Sequence, residues 1–149
     1  MILQLLLCLA LASVTVFLHA VGTVHVVMPA SGVWNWKKEF SAPLRPVFAL
    51  TRLVSMLLVL HLVEISIWAA AFTAAVVLPD FETSLYYSLK SYTTVGYGDV
   101  LPPNSWRLLG PFEAAVGILM LGWSTGIIVA AVQRIYNNRP SDSTPTPRL

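Results

Sequence analysis

Seven residues, TTVGYGD from Thr93 to Asp99, combine side-chain types that suit one task. Thr93, Thr94 and Val95 lead into Gly96, Tyr97 and Gly98, with glycine at alternate positions. Such a run is compatible with a β-strand weakened by its glycines, and with a turn. A third reading is a strip of backbone whose carbonyl oxygens all face one ion. A permeating cation must shed water, and carbonyl oxygens can replace its hydration shell. Pointing successive carbonyls to one side needs backbone conformations that a Cβ resists, and glycine reaches φ > 0 cheaply. The sequence around the strip decides between these readings.

Those surroundings are membrane-like. Of the 149 residues, 56% are hydrophobic and only 11% charged, against about 25% charged in ordinary soluble domains. The mean hydropathy is +0.72. The chain is too short for two domains of usual size. A net charge of +2 without a basic stripe excludes a nucleic-acid partner. The single cysteine, Cys8, lies in an apolar run, so no disulfide within the chain and no cysteine metal motif is expected.

Three apolar runs are long enough to cross a bilayer, which takes about 20 residues. The first, residues 1–28, has no Lys or Arg before it, which favours a retained span over a signal peptide. His19 and His25 near its end are expected at the interface or hydrogen-bonded. Residues 29–46 form a basic loop with Lys37, Lys38 and Arg45, and Trp34 and Trp36 mark a membrane–water boundary. The second run spans 47–78 and the third 107–136, with Trp106 and Arg107 anchoring one end and Arg134 and Tyr136 the other. Residues 137–149 read as a disordered tail rich in proline. Basic residues favour the cytoplasm, which places the 29–46 loop and the C-terminus inside and the N-terminus outside.

Residues 79–107 are too short and polar to span alone, but long enough to dip in and return. Non-helical backbone at that depth is tolerated only where protein buries it or it lines a wet cavity. Residues 81–93 read as a short helix, with Asp80 and Glu82 suited to its positive N-terminal end. The strip 94–99 follows directly.

At this point the run SYTTVGYGD resembles the selectivity filter of tetrameric potassium channels: the TVGYGD core follows an aromatic-bearing short helix and lies between two spans. The resemblance covers about residues 47–136. It implies an all-α membrane protein with three transmembrane helices, a re-entrant pore helix and a filter loop, assembled as a homotetramer. It implies passive, selective K+ conduction with K+ as the permeant ion and no enzyme activity, cofactor or small-molecule substrate. Thr94, Val95, Gly96, Tyr97 and Gly98 would bind K+ through backbone oxygens, with the Thr94 hydroxyl at the inner mouth. Asp99 would concentrate cations just outside. Thr93 and Tyr87 would support the filter, and Tyr97 would seek a hydrogen-bond partner on the pore helix, where Tyr86 and Tyr87 stand in place of the familiar tryptophan. The alternatives are a less selective cation channel and a non-conducting regulatory subunit.

Three features stand apart from the filter. Lys90 occupies a pore-helix position that the family commonly fills with an apolar residue or an acid. A buried cation needs a partner, and Asp99 is the first candidate, ahead of Glu64 and Glu113; snorkelling to the surface is the alternative. His61 and Glu64 lie one helical turn apart near the middle of the second span. They read as a structural hydrogen-bonded pair or an intramembrane proton sensor. A metal site or a metal-dependent enzyme is disfavoured, because outer spans of a tetramer do not meet on the axis. Gly117 and Gly122 in the third span read as a gating hinge or as close-packing positions, and Ser124 and Thr125 as lining the cavity below the filter. No span carries the spaced arginines of a voltage sensor.

Overall fold

The computed structural model describes the backbone of residues 2–33 and 45–137, and the side chains of 2–25 and 46–137. Within these residues the chain is helical, without strands: α1 (Ile2–Val33), α2 (Arg45–Ala74), α3 (Phe81–Tyr92), a short 3-10 turn (Asn104–Trp106) and α4 (Leu109–Asn137). Three helical stretches are long and apolar enough to cross a membrane: Ile2–His25, Pro46–Ala74 and Asn104–Asn137. The chain is a multi-pass membrane protein by this composition. Lys37, Lys38, Trp34, Trp36 and nearly all of the tail lie outside the described residues.

Helix boundaries differ from the sequence reading at several ends. The first helix continues past residue 28 to Val33. The second begins at Arg45, with Pro46 in the first turn, where a missing N–H breaks no helical bond. It stops at Ala74, not at 78, for a physical reason. The Val77 amide donates to the Phe72 carbonyl (2.9 Å) and the Val76 amide to that of Thr73 (3.0 Å). These are the paired bonds of a Schellman stop. That motif needs a left-handed residue, and Val76 takes it at φ 53°. Glycine is the usual occupant, since a Cβ costs about 1–2 kcal/mol there.

Helix α3 starts where Asp80 caps it, its carboxylate accepting from the Thr83 amide (2.8 Å) and hydroxyl (2.9 Å). Helices α1 and α2 run antiparallel: Gly22 meets Leu60, His19 meets Glu64 and Thr15 meets Trp68. The core gathers Trp68, Phe72, Tyr87, Tyr92, Leu109 and Met120 from α2, α3 and α4. Phe72 and Tyr87 meet edge to face at 5.2 Å, a favoured aromatic geometry. Leu58, Val59 and Leu62 on α2, and Ile118 and Leu119 on α4, stay exposed, as lipid-facing or subunit-facing positions would.

One glycine sets how closely α4 approaches α3. A Cβ on Gly117 would lie 2.1 Å from the Tyr92 carbonyl oxygen, which is a backbone atom that cannot swing aside. Gly117 therefore has a packing reason to lack a side chain. Gly122 and Gly126 have open space around them.

Two substitutions should move stability in opposite directions. Gly117→Ala pushes α4 off α3, and overpacking of this kind costs about 1–3 kcal/mol. Val76→Gly relieves the left-handed β-branched residue, for a gain of roughly 1 kcal/mol. Thermal denaturation of the detergent-solubilised protein reads both, and a stable Gly117→Ala variant would contradict the close approach.

Candidate functional site

The strip after α3 has an alternating backbone. Thr94, Gly96 and Gly98 sit at φ 63°, 55° and 78°, whereas Val95 and Tyr97 between them do not have positive φ. Alternation between left- and right-handed residues gathers amides on one side of a chain, as in anion-binding nests, and so gathers carbonyls on the other. The glycines make two of these positions cheap. Thr94 holds the third without that freedom, at the point where the helix gives way to the strip.

Helix α3 grips the start of the strip. The Thr93 amide donates to the Leu89 carbonyl (3.2 Å), that of Thr94 to Ser91 (3.0 Å) and that of Gly96 to Lys90 (3.3 Å). Last-turn carbonyls that would otherwise lack partners are thus used. The negative end of the helix dipole lies beside the first strip residues, a placement that favours a cation.

The far end of the strip is held by the same helix. The Lys90 ammonium donates to Asp99 Oδ1, and the Tyr86 hydroxyl donates to Oδ2 at 2.7 Å. Of the acids offered to Lys90, it is Asp99 that it meets. The ammonium also lies 4.5 Å from the centroid of the Tyr86 ring, a cation–π distance. Lys90 is buried while half of the Asp99 side chain stays exposed. The Lys90 ammonium, and after it the Tyr86 hydroxyl, hold the Asp99 carboxyl down at about 2.

Tyr97 has no such grip. Its side chain is 74% exposed and Val95 is 51% exposed. Neither Tyr86 nor Tyr87 is its partner: Tyr86 serves Asp99, and the Tyr87 hydroxyl lies against Ser91 and the Gly110 backbone. Among the described residues of its own chain, Tyr97 has no hydrogen-bond partner. A cavity of about 270 Å³ lies beside the strip, lined by Tyr87, Thr94, Gly96, Gly98, Val100 and Ala114 among others.

Below the strip, a buried polar cluster joins all four helices. Glu64 on α2 accepts from the Tyr92 hydroxyl of α3 (2.5 Å) and meets His19 Nδ1 of α1 (2.9 Å). His61 Nδ1 lies 3.0 Å from the Tyr92 hydroxyl and 3.3 Å from Glu64, and its Nε2 lies 2.9 Å from Ser124 Oγ of α4. All five side chains are buried. The His61–Glu64 pair therefore reaches both the pore helix and the first span. His19 is hydrogen-bonded in the interior, one of the two placements expected for it, whereas His25 is exposed and bonds the Val21 carbonyl. Ser124 turns into this cluster, not towards a water-filled cavity, while Thr125 is exposed.

A second buried contact lies nearer the ends of α2 and α4 that flank α3. The Ser88 hydroxyl of α3 donates to Glu113 of α4 and sits 3.0 Å from the Ile65 carbonyl. The sequence reading missed Tyr92, Ser88 and the role of His19. Only His19 carried a signal in the sequence, as an ionisable residue within a span.

Comparison with known proteins places part of this chain in a family. Residues 56–134 match a family model described as ion channel, from mid-α2 through α3 and the strip to the end of α4. Over 42 residues the chain is 48% identical to "TWiK family of potassium channels protein 18" of Caenorhabditis elegans. That match covers 28% of this chain and 8% of that protein. No solved structure matches the chain.

The ion pair gives a pH window. Because the folded value of Asp99 is depressed from 3.8 to about 2, its stabilising contribution is full above pH 3.8 and disappears as pH falls through about 2. Lys90→Met should return the Asp99 carboxyl towards the ordinary value of about 3.9. Carboxyl-carbon NMR of the labelled protein measures this, and an unshifted Asp99 in the variant would contradict the pairing.

Proposed function

We propose that this chain, which belongs to the ion-channel family, is one of four identical subunits of a potassium-selective pore. The observation that carries the proposal is the backbone of the strip: positive φ at alternate residues Thr94, Gly96 and Gly98 within the sequence TVGYGD. One strip cannot surround an ion, so copies must face one another across an axis, as closed symmetric oligomers do. The exposure of Val95 and Tyr97 supports this assembly, since their side chains have no cover within one chain. A neighbouring subunit supplies the surface and the hydrogen-bond partner for Tyr97.

Conduction is then passive. The oxygens of Thr94, Val95, Gly96 and Tyr97 replace the water that K+ sheds, and Gly98 lets the chain leave the ring at the outer mouth. Asp99, an ionised carboxylate, raises the local cation concentration there. The pore helix holds the strip by its last carbonyls at one end and by Lys90 and Tyr86 at the other. Helix α4 lines the path below, and its open glycines Gly122 and Gly126 leave room for bending. The basic residues put the C-terminus in the cytoplasm and the N-terminus outside. The worm potassium channel protein, 48% identical over 42 residues, supports the ion assignment.

Flux from the purified protein in liposomes tests the proposal. K+ efflux is expected, with Na+ carried at least roughly tenfold more slowly; a tenfold ratio corresponds to about 1.4 kcal/mol of discrimination. Gly96→Ala should abolish flux, because a Cβ at φ 55° strains the ring. Equal Na+ and K+ rates would point to a non-selective channel, and no flux at all to a subunit without conduction.

A further inference from the structure

We propose that His19, His61 and Glu64 form, inside one protomer, a site for a divalent transition ion, with zinc as the best match to the donor set. The sequence argument against a metal counted donors on α2 alone. The fold adds a third from α1, so no symmetry axis is needed. The three side chains are buried, and one ligand atom from each lies within 4.8 Å of the others.

The separations are close to those of a coordination shell. Zinc binds imidazole and carboxylate at about 2.0–2.2 Å, which places tetrahedral ligands about 3.3–3.5 Å apart. His19 Nδ1 lies 2.9 Å and His61 Nδ1 3.3 Å from the Glu64 oxygens. The Tyr92 hydroxyl oxygen, 3.0 Å from His61 Nδ1 and 2.5 Å from Glu64 Oε2, offers a fourth donor.

The other nitrogens of both rings strengthen the case. His61 Nε2 and His19 Nε2 lie 2.9 Å and 3.4 Å from the same atom, Ser124 Oγ. A metal-bound histidine donates its second N–H to an outer acceptor, and a hydroxyl oxygen has two lone pairs to receive both. That arrangement leaves both Nδ1 lone pairs bare and turned towards Glu64. Charge points the same way. Among the described residues no Lys or Arg pairs with Glu64, whose partners are the two imidazoles and the Tyr92 hydroxyl, so a bound cation would balance the buried carboxylate. The nitrogen donors suit zinc and not K+, which takes oxygens, so this site is distinct from the filter.

The test uses the full chain in nanodiscs, stripped with chelator and titrated with zinc alone. About one zinc per chain is expected. Cobalt in its place should give the visible absorption bands of a tetrahedral centre. Ser124→Ala should weaken zinc binding roughly 10–100-fold through loss of the outer acceptor. His19→Gln should remove stoichiometric binding, while His25→Ala, altering the exposed histidine, keeps it. Absence of saturable zinc binding, or unchanged binding in His19→Gln, overturns the site. If His19→Gln does not assemble, the cobalt spectrum of the unmodified protein decides, and no tetrahedral bands overturns it. Because the readout is metal content, the result stands apart from K+ conduction.

Discussion

A cation crosses the middle of a bilayer only if oxygens replace the water it leaves behind. In the proposed pore, that constraint accounts for the departure from regular helix after α3. A helix uses its carbonyls internally and has none to lend. In that proposal the strip Thr94–Gly98 frees them, with positive φ at alternate residues, 63°, 55° and 78° for Thr94, Gly96 and Gly98. The remaining elements serve to hold this unpaired backbone still. Helix α3 takes the strip amides on its final carbonyls and fixes Asp99 through Lys90 and Tyr86. Helices α2 and α4 fix α3 in turn, through Glu64 on the Tyr92 hydroxyl and Gly117 against the Tyr92 carbonyl.

Tyr92 is the joint of this arrangement. Its hydroxyl sits among Glu64 and His61, its backbone touches α4, and the strip begins two residues later. The first span enters the same joint through His19, although the family model that matches this chain begins only at residue 56. Helix α1 is therefore bonded to the pore region by buried polar contacts, and not merely laid against its lipid face. Lys90 adds a local variation. The buried ammonium is satisfied by a carboxylate and by the Tyr86 ring, so the Asp99 end of the strip is held by opposite charges.

Much of this was legible in the sequence because its causes are local. Span lengths follow from composition, the short helix from Asp80 and its spacing, and the strip from glycine placement. The Lys90–Asp99 contact was within reach because both residues flank one turn. What escaped the sequence depended on distant segments meeting. His19 and Glu64 are 45 positions apart, and nothing in either neighbourhood specifies the other. Gly117 looks like any helix glycine until the Tyr92 carbonyl is seen beside it. Ser124 seemed a pore-lining hydroxyl because helical spacing alone cannot say which face turns inward. The end of α2 was misplaced because valine, not glycine, fills the left-handed stop at Val76.

The central claim is that the strips of four chains face one another and present their carbonyls to a shared axis. Electron cryomicroscopy of the full protein in nanodiscs, in K+ solution, tests it most directly. The account predicts fourfold symmetry, with a row of ion densities on the axis flanked by the oxygens of Thr94, Val95, Gly96 and Tyr97. Strips turned away from one another, or an axis with no density between them, would contradict it.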